Sequence, residues 1–320
     1  MNIGILKETK EFENRVAIIT GAGRGIGREV AKLIASEGGS VVVNDFGVSL
    51  DGMNSSNTPA AEVVNEITEA GGKAVANYDS VSEWDSSKNI VQTAIDHFGK
   101  VDILCNAAGI LRDRMIFNMT EEEWDGVLRV HLYGTFNMVR HCVPLMIQQT
   151  YGRILLFSSG SALGASGQAN YSAAKEGIVG LARSLSRELY QYNITLNAVY
   201  PGGATRMTES IPETTTQLRQ TQRAKSTATQ SAPIRGPEAA KDPINNAPKV
   251  VYLCSESSGN LTGQVVGTSG WPMTLYSPRH VIRSIHKNSR WTIEELEDLI
   301  PISLAPDIVN PSPPTPPKNS

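Results

Sequence analysis

The chain has 320 residues, 40% of them hydrophobic and 19% charged, with a formal net charge of −3. That size and apolar share allow a large core, and the near-neutral balance gives no reason to expect nucleic acid or an anionic membrane as partner. Cys105, Cys142 and Cys254 lie far apart with no Cys-x-x-Cys pair, and the five histidines show no ligand spacing, so buried thiols in a reducing compartment are expected and no metal site.

No apolar run approaches the roughly 20 residues of a membrane span. Neither end carries a signal-peptide core or a peroxisomal address, which makes a cytoplasmic protein the expectation. Short β-branched runs alternate along the chain with helical stretches. Strands are expected at 16–20, 40–45, 73–77, 101–106, 152–158, 194–199 and 264–267. The segments between the first six are amphipathic and long enough for crossover helices, which predicts a parallel sheet with helices on both faces. Residues 214–248 are rich in Thr, Gln, Ala and Pro and poor in apolar side chains. This composition predicts a mobile segment that orders over a bound ligand. Thr292 and Glu295 have the spacing of a capping box, and the Pro-rich run beyond 301 predicts a disordered tail.

Val16-Ala17-Ile18-Ile19-Thr20-Gly21-Ala22-Gly23-Arg24-Gly25-Ile26-Gly27 has the pattern of a strand entering a glycine-rich turn and then a helix. Such a turn lets backbone approach a pyrophosphate, and the helix start supplies free N–H groups and a positive dipole. The bland alternative is a tight turn; the strand-to-helix context argues against it. Asp45 ends the second strand, where a carboxylate accepts both ribose hydroxyls of NAD and repels a 2′-phosphate. Its plainer role is a loop cap. Arg24 is able to partner a 2′-phosphate, but the carboxylate makes NAD the expected cofactor.

Tyr171-Ser172-Ala173-Ala174-Lys175 puts a phenol and an ammonium at i and i+4, on one helix face. Alone, such a pair is commonplace on surfaces. A nearby cation favours phenolate, so a lowered tyrosine pKa and an acid or base usable near neutrality are expected. Ser158 precedes the pair, at the end of the apolar run Arg153-Ile154-Leu155-Leu156-Phe157.

Taken together, Thr20-Gly21-x-x-x-Gly25-Ile26-Gly27, Asn106-Ala107-Ala108-Gly109, Ser158, Tyr171-x-x-x-Lys175 and Pro201-Gly202 resemble the short-chain dehydrogenase/reductase family in order and spacing. The resemblance covers about residues 13–270. It implies an α/β fold, a Rossmann-type doubly wound parallel sheet in a single domain over 13–270. A C-terminal extension at 271–300 and the tail at 301–320 follow. Asn44-Asp45-Phe46-Gly47, Gly109-Ile110-Leu111-Arg112-Asp113-Arg114, Val130-His131-Leu132 and Gly167-Gln168-Ala169-Asn170-Tyr171 further resemble the (3R)-hydroxyacyl-CoA dehydrogenase part of type 2 peroxisomal multifunctional enzymes.

The activity so implied is NAD-dependent interconversion of a secondary alcohol and a ketone, with a 3-hydroxyacyl-CoA-type thioester as preferred substrate. In that reading Tyr171 moves the proton, Lys175 lowers the tyrosine pKa and binds the nicotinamide ribose, and Ser158 orients the substrate oxygen. Gly21, Arg24, Gly25, Ile26, Gly27 and Asp45 hold the cofactor's phosphates and ribose. Asp79 and Ser80 meet adenine, Asn106 and Gly109 line the cofactor, and Pro201 and Thr205 lie beside the carboxamide. His131 stands where many members have asparagine. The family uses that residue's backbone carbonyl to hold a water linking the lysine to solvent, so His131 joins the catalytic candidates, with a structural histidine as the plainer reading. Helices expected around 120–148 and 170–190 pair across a two-fold axis in the family, which implies a homodimer or homotetramer. The competing functions are a dehydrogenase or ketoreductase for a hydroxysteroid or polyketide-type ketone, and a catalytically silent dinucleotide-binding regulator. Residues 2–17 resemble the opening of alanine dehydrogenases, with no later segment to match.

Overall fold

A computed structural model describes residues 10–49, 51–53, 56–203 and 238–308. Its strands are β1 (Val16–Thr20), β2 (Ser40–Asn44), β3 (Lys73–Asn77), β4 (Ile103–Asn106), β5 (Gly152–Phe157), β6 (Ile194–Tyr200), β7 (Val265–Gly267) and β8 (Thr274–Leu275). They form one sheet in the order β3-β2-β1-β4-β5-β6-β7-β8. Every pairing as far as β7 is parallel, and β8 is antiparallel to β7. The helices are α1 (Gly25–Ser36), α2 (Thr58–Glu69), α3 (Trp84–Phe98), α4 (Glu121–Leu128), α5 (Gly134–Gln149), α6 (Ala169–Leu189), α7 (Ala247–Cys254) and α8 (Ile293–Ser303).

The central strands β1, β2, β4, β5, β6 and β7 are buried on both sides, which is why most of them carry continuous apolar runs, whereas the edge strands β3 and β8 are partly or wholly exposed. Successive side chains enter opposite cores. Ile18, Leu104 and Leu156 pack with Met138 of α5 and Ile178 of α6. Ile19, Cys105 and Leu155 pack with Ile34 of α1 and Val250 of α7. Each fully buried aliphatic side chain contributes about 1.5–3 kcal/mol relative to exposure. The chain winds from β1 outward to β3, then returns to β4 on the other side of β1. This reversal opens a crevice at the carboxyl ends of β1 and β4, where ligands bind in such sheets.

Part of the segment expected to be mobile is ordered. Residues 214–237 lie outside the described residues, but Pro243–Asn246 forms a 3-10 turn that leads into α7. Its anchor is the amide of Asn246, which is fully buried. The amide donates to the Gly202 and Pro243 carbonyls (2.9 and 3.1 Å) and accepts from Gly202 N–H and the Thr268 hydroxyl (3.3 and 2.9 Å). Composition underrates such a segment, because one satisfied amide replaces the missing apolar contacts.

The capping box expected at Thr292 and Glu295 forms, with both reciprocal hydrogen bonds, and starts α8. Among the described residues, none in α8 is buried, and Arg279 ties the extension to Glu176 of α6 at 2.7 Å. All three cysteines are buried and free. Among the described residues no helix is long and apolar enough to cross a membrane, and no His/Cys/Asp/Glu group could hold a metal ion. The tail beyond 308 and the first nine residues lie outside the described residues.

Candidate active site

A cavity of about 760 Å³ occupies the crevice. Gly21, Arg24, Gly25, Ile26 and Gly27 line one end of it. Gly21 has φ +64°, and a Cβ there would lie 2.8 Å from the Ala108 Cα, so the turn between β1 and α1 admits no side chain at that point. No side chain caps α1, and its first turn holds no acidic residue. Its first N–H groups are therefore left for an anion.

Asp45 fastens this turn and faces the cavity as well. Its Oδ2 accepts from Gly23 N–H at 2.8 Å and its Oδ1 from Gly47 N–H at 2.7 Å. A carboxylate retains further lone pairs for a diol, so the loop-cap and ribose roles are compatible. Asp79 and Ser80 line the same end. The Asp79 main-chain carbonyl accepts from the Asn44 amide at 2.9 Å, and its carboxylate accepts from the Asn77 amide at 2.8 Å.

Asn106 departs from its expected place. Ala107, Ala108 and Gly109 wall the cavity, and Asn106 is buried behind them. Its Oδ1 accepts from the Thr20 hydroxyl and its Nδ2 donates to the Thr135 hydroxyl, both at 2.8 Å. Thr135 in turn donates to the His131 carbonyl at 2.6 Å. An asparagine at a strand end before Ala-Ala-Gly gives no sign of which way its amide turns.

His131 sits in a π-helical turn, Arg129–Tyr133, between α4 and α5. It is 1% exposed. Its Nε2 lies 2.8 Å from the Ile110 carbonyl, and its ring stands edge-on to the Tyr171 ring, 5.0 Å between centroids. Burial first, then the nearby Lys175 charge, hold it well below the ordinary histidine value. It is thus a neutral, packed imidazole whose carbonyl already serves Thr135. Gly109 makes room for it: a Cβ at Gly109 would overlap the imidazole Cε1.

Tyr171 and Lys175 project from one face of α6, and both are buried. The Lys175 ammonium donates to the Phe157 carbonyl and lies 5.4 Å from the centre of the Tyr171 ring. The expected lowering of the tyrosine pKa is absent in the protein alone. Burial pushes Tyr171 up to about 12, with the Ser159 hydroxyl pulling against it. Burial also pushes Lys175 down to about 7. Removal from water outweighs a cation aimed at a carbonyl rather than at the phenol.

Ser158 lines the cavity as expected, and its hydroxyl donates to the Lys175 main-chain carbonyl at 2.7 Å. Ser159 lines the cavity too, and its hydroxyl is the group that pulls the Tyr171 pKa down against burial. Pro201 lines the cavity as expected, and Thr205 lies outside the described residues.

Two positioning residues escaped the sequence reading. Gln168 donates to both oxygens of Asp113 (3.0 and 2.8 Å) and accepts from the Ser161 hydroxyl at 2.9 Å. Asn170 donates to the Arg112 and Glu123 carbonyls (3.0 and 2.9 Å) and accepts from Tyr171 N–H at 2.7 Å. They tie the loop after β4 to the start of α6. Their available signal was polar residues at a helix start, Gln168 at the cap position and Asn170 in the first turn.

The family model for short chain dehydrogenases matches residues 15–216. The chain belongs to the short-chain dehydrogenase family. It is an oxidoreductase by that membership. The crystal structure of a short chain dehydrogenase from Mycobacterium avium matches with a TM-score of 0.77 at 39% identity, covering 92% of this chain and 96% of that one. The peroxisomal multifunctional enzyme type 2 of Mus musculus is 41% identical over 290 residues, 90% of this chain but 36% of that enzyme. A 3-oxoacyl-[acyl-carrier-protein] reductase of Thermotoga maritima is 36% identical over 261 residues, 81% of this chain and 98% of the reductase.

Proposed function

We propose that this short-chain dehydrogenase interconverts a secondary alcohol and a ketone with NAD, and that its preferred substrate is a 3-hydroxyacyl thioester such as the CoA ester. The carrying observation is the meeting of Tyr171, Lys175 and a serine hydroxyl in the cavity that begins at the glycine turn. Likeness to a 3-oxoacyl reductase supports the thioester.

Gly21, Gly25 and the start of α1 would hold the pyrophosphate, Asp45 the ribose diol, and Asp79 with Ser80 the adenine. NAD held there would supply the hydride acceptor or donor. Tyr171 takes the alcohol proton as the hydride leaves, and returns it in reduction. Lys175, when protonated, is the positive charge on the same helix face that favours phenolate, which the buried phenol at about 12 requires. Gln168 and Asn170 hold α6 so that the phenol keeps its place.

The test is turnover of 3-oxoacyl thioesters, steroid ketones and polyketide-type ketones with NADH and NADPH. No turnover of any of them would defeat the reading, and steroid-only turnover would replace the thioester. Asp45 carries a separate expectation. The wild-type protein should prefer NADH in kcat/KM, and Asp45→Ser should narrow or invert that preference. A wild-type preference for NADPH would show that the carboxylate only caps its loop.

We also propose a homodimer or homotetramer. Trp84, Tyr133 and Phe136 stand exposed at and near the start of α5, with Trp84 and Phe136 rings 6.0 Å apart. Closed symmetry covers such a face with its own copy. Light scattering at micromolar concentration should give a multiple of the chain mass; a monomer mass would exclude it.

A further inference from the structure

We propose that Arg112 is a positioning residue that ties the adenosine end of the cavity to Tyr171. Its guanidinium clamps the turn that follows β2, and its main-chain carbonyl sets the start of α6. This rests on the dehydrogenase reading and deepens it.

The turn after β2 walls the end of the cavity that also holds Asp45, Asp79 and Ser80, through Phe46, Val48, Ser49 and Gly52. It is braced from within. Ser49 N–H donates to the Met53 carbonyl at 2.8 Å, and Gly52 N–H donates to the Ser49 carbonyl at 3.0 Å. Arg112, on the loop after β4, ties this turn to α4. Its Nε donates to the Asp51 carbonyl and its Nη1 to the Glu122 carbonyl, both at 2.9 Å. A guanidinium is a planar fork that bonds two fixed acceptors at once, which an ammonium on a flexible stem does not reproduce. Gly126, one turn further along α4, makes the room. A Cβ there would lie 2.8 Å from Nη1. A glycine inside a helix weakens it, and here the arginine lying against the helix explains its presence.

The same residue reaches the catalytic helix by its backbone. The Arg112 carbonyl accepts from the Asn170 amide at 3.0 Å, and the Asn170 oxygen accepts from Tyr171 N–H at 2.7 Å. An apolar contact runs beside these bonds. Val48 from the turn packs against the small cluster of Ile110, Val127, Tyr171 and Ala174. Asp51 and Tyr171 are thus joined through one side chain and its own main chain. An adenosine half held at Asp45 and Asp79 would rest against the turn, and order gained there would pass through Arg112 to the phenol.

The experiment compares Arg112→Ala, Arg112→Lys, Gly126→Ala and the Arg112→Ala/Gly126→Ala double variant with wild type. Each is measured for melting temperature, calorimetric affinity for ADP-ribose, and hydrogen exchange of the Tyr171 amide with and without ADP-ribose. Turnover is read as kcat and KM with NADH and with reduced nicotinamide mononucleotide, which lacks the adenosine half. Arg112→Ala should weaken ADP-ribose and lower kcat with NADH, each about 10-fold, a coupling of ordinary size. With the mononucleotide, which cannot engage the turn, wild type and variant should differ little. ADP-ribose should slow exchange at Tyr171 in wild type and not in Arg112→Ala. Arg112→Lys, which keeps the charge and loses the fork, should resemble Arg112→Ala. Gly126→Ala should reproduce the losses with an equal or higher melting temperature, because alanine favours the helix while its methyl displaces the guanidinium. Added to Arg112→Ala, it should cost nothing more.

Unchanged ADP-ribose affinity in Arg112→Ala overturns the clamp. Weaker ADP-ribose with kcat unchanged at saturating NADH overturns the tie to Tyr171. Equal losses with NADH and the mononucleotide make Arg112 a local support of α6 and no link. Wild-type behaviour in Arg112→Lys means that charge alone acts, which defeats the fork. If wild type turns over no ketone with either cofactor, the dehydrogenase reading fails, and ADP-ribose affinity and exchange at Tyr171 still decide the clamp and the tie.

Discussion

Replacing Tyr171 with phenylalanine is expected to lower kcat by about 10² or more, the contribution of a positioned acid–base group. The ring must remain, because it packs edge-on against His131 and beneath the Lys175 ammonium. Phenylalanine keeps that ring, so NADH affinity and melting temperature should stay close to wild type. The pH profile sharpens the expectation. With the phenol at about 12 and Lys175 at about 7 in the protein alone, phenolate is scarce at neutral pH until oxidised cofactor adds its charge. Alcohol oxidation should thus rise with pH through a step well below 12, and ketone reduction should not need that step. Wild-type turnover in Tyr171→Phe would remove Tyr171 from the chemistry.

The second large effect is expected at Gly109. An alanine there would overlap the imidazole of His131, a ring pinned by Ile110 and touching Tyr171. Overpacking a rigid interior costs about 1–3 kcal/mol, and the displaced ring would push on the catalytic phenol. Gly109→Ala should lower both the melting temperature and kcat. The cause is separable from a cofactor effect by a double-mutant cycle. In His131→Ala the ring is gone, so Gly109→Ala added to it should cost much less than in wild type, a coupling of about 0.5–3 kcal/mol. Additive losses would mean that Gly109 is required for the cofactor's approach and not for the imidazole.

Sequence periodicity located the layers well, because strands buried on both faces leave unbroken apolar runs. The expected strands at 16–20 and 73–77 coincide with β1 and β3, and the other expected strands each differ at one end only. The two-residue β8 is too short to leave a pattern. The long helix expected over 120–148 is broken by the π-turn at His131, a single-turn feature too short to set a period of its own. At the site, residues chosen by backbone requirement held their places: Gly21 and Gly25 at positive φ, and Asp45 on the turn. Ser158 lines the cavity beside Tyr171 and Lys175. Asn106 turned inward instead, because a spacing counts positions while direction depends on the partner a strand end happens to meet. The tyrosine pKa was misjudged for a related reason. The i, i+4 rule brings Lys175 near but says nothing of burial, and burial dominates.

The strand order has a cost in time. Thr20 on β1 meets Asn106 on β4, its neighbour on one side, across 86 residues of chain. Ribosomes add about 5–20 residues per second, so roughly 4–17 seconds separate the synthesis of these partners. Throughout that interval the apolar edge of Val16–Thr20 has a strand on one side at most. Parallel sheets of such long-range contacts form slowly, and an unpaired β-branched edge invites pairing with other nascent chains. Yield during overexpression should therefore depend on chaperone supply and on the pace of translation between β1 and β4 more than on the stability of the finished protein.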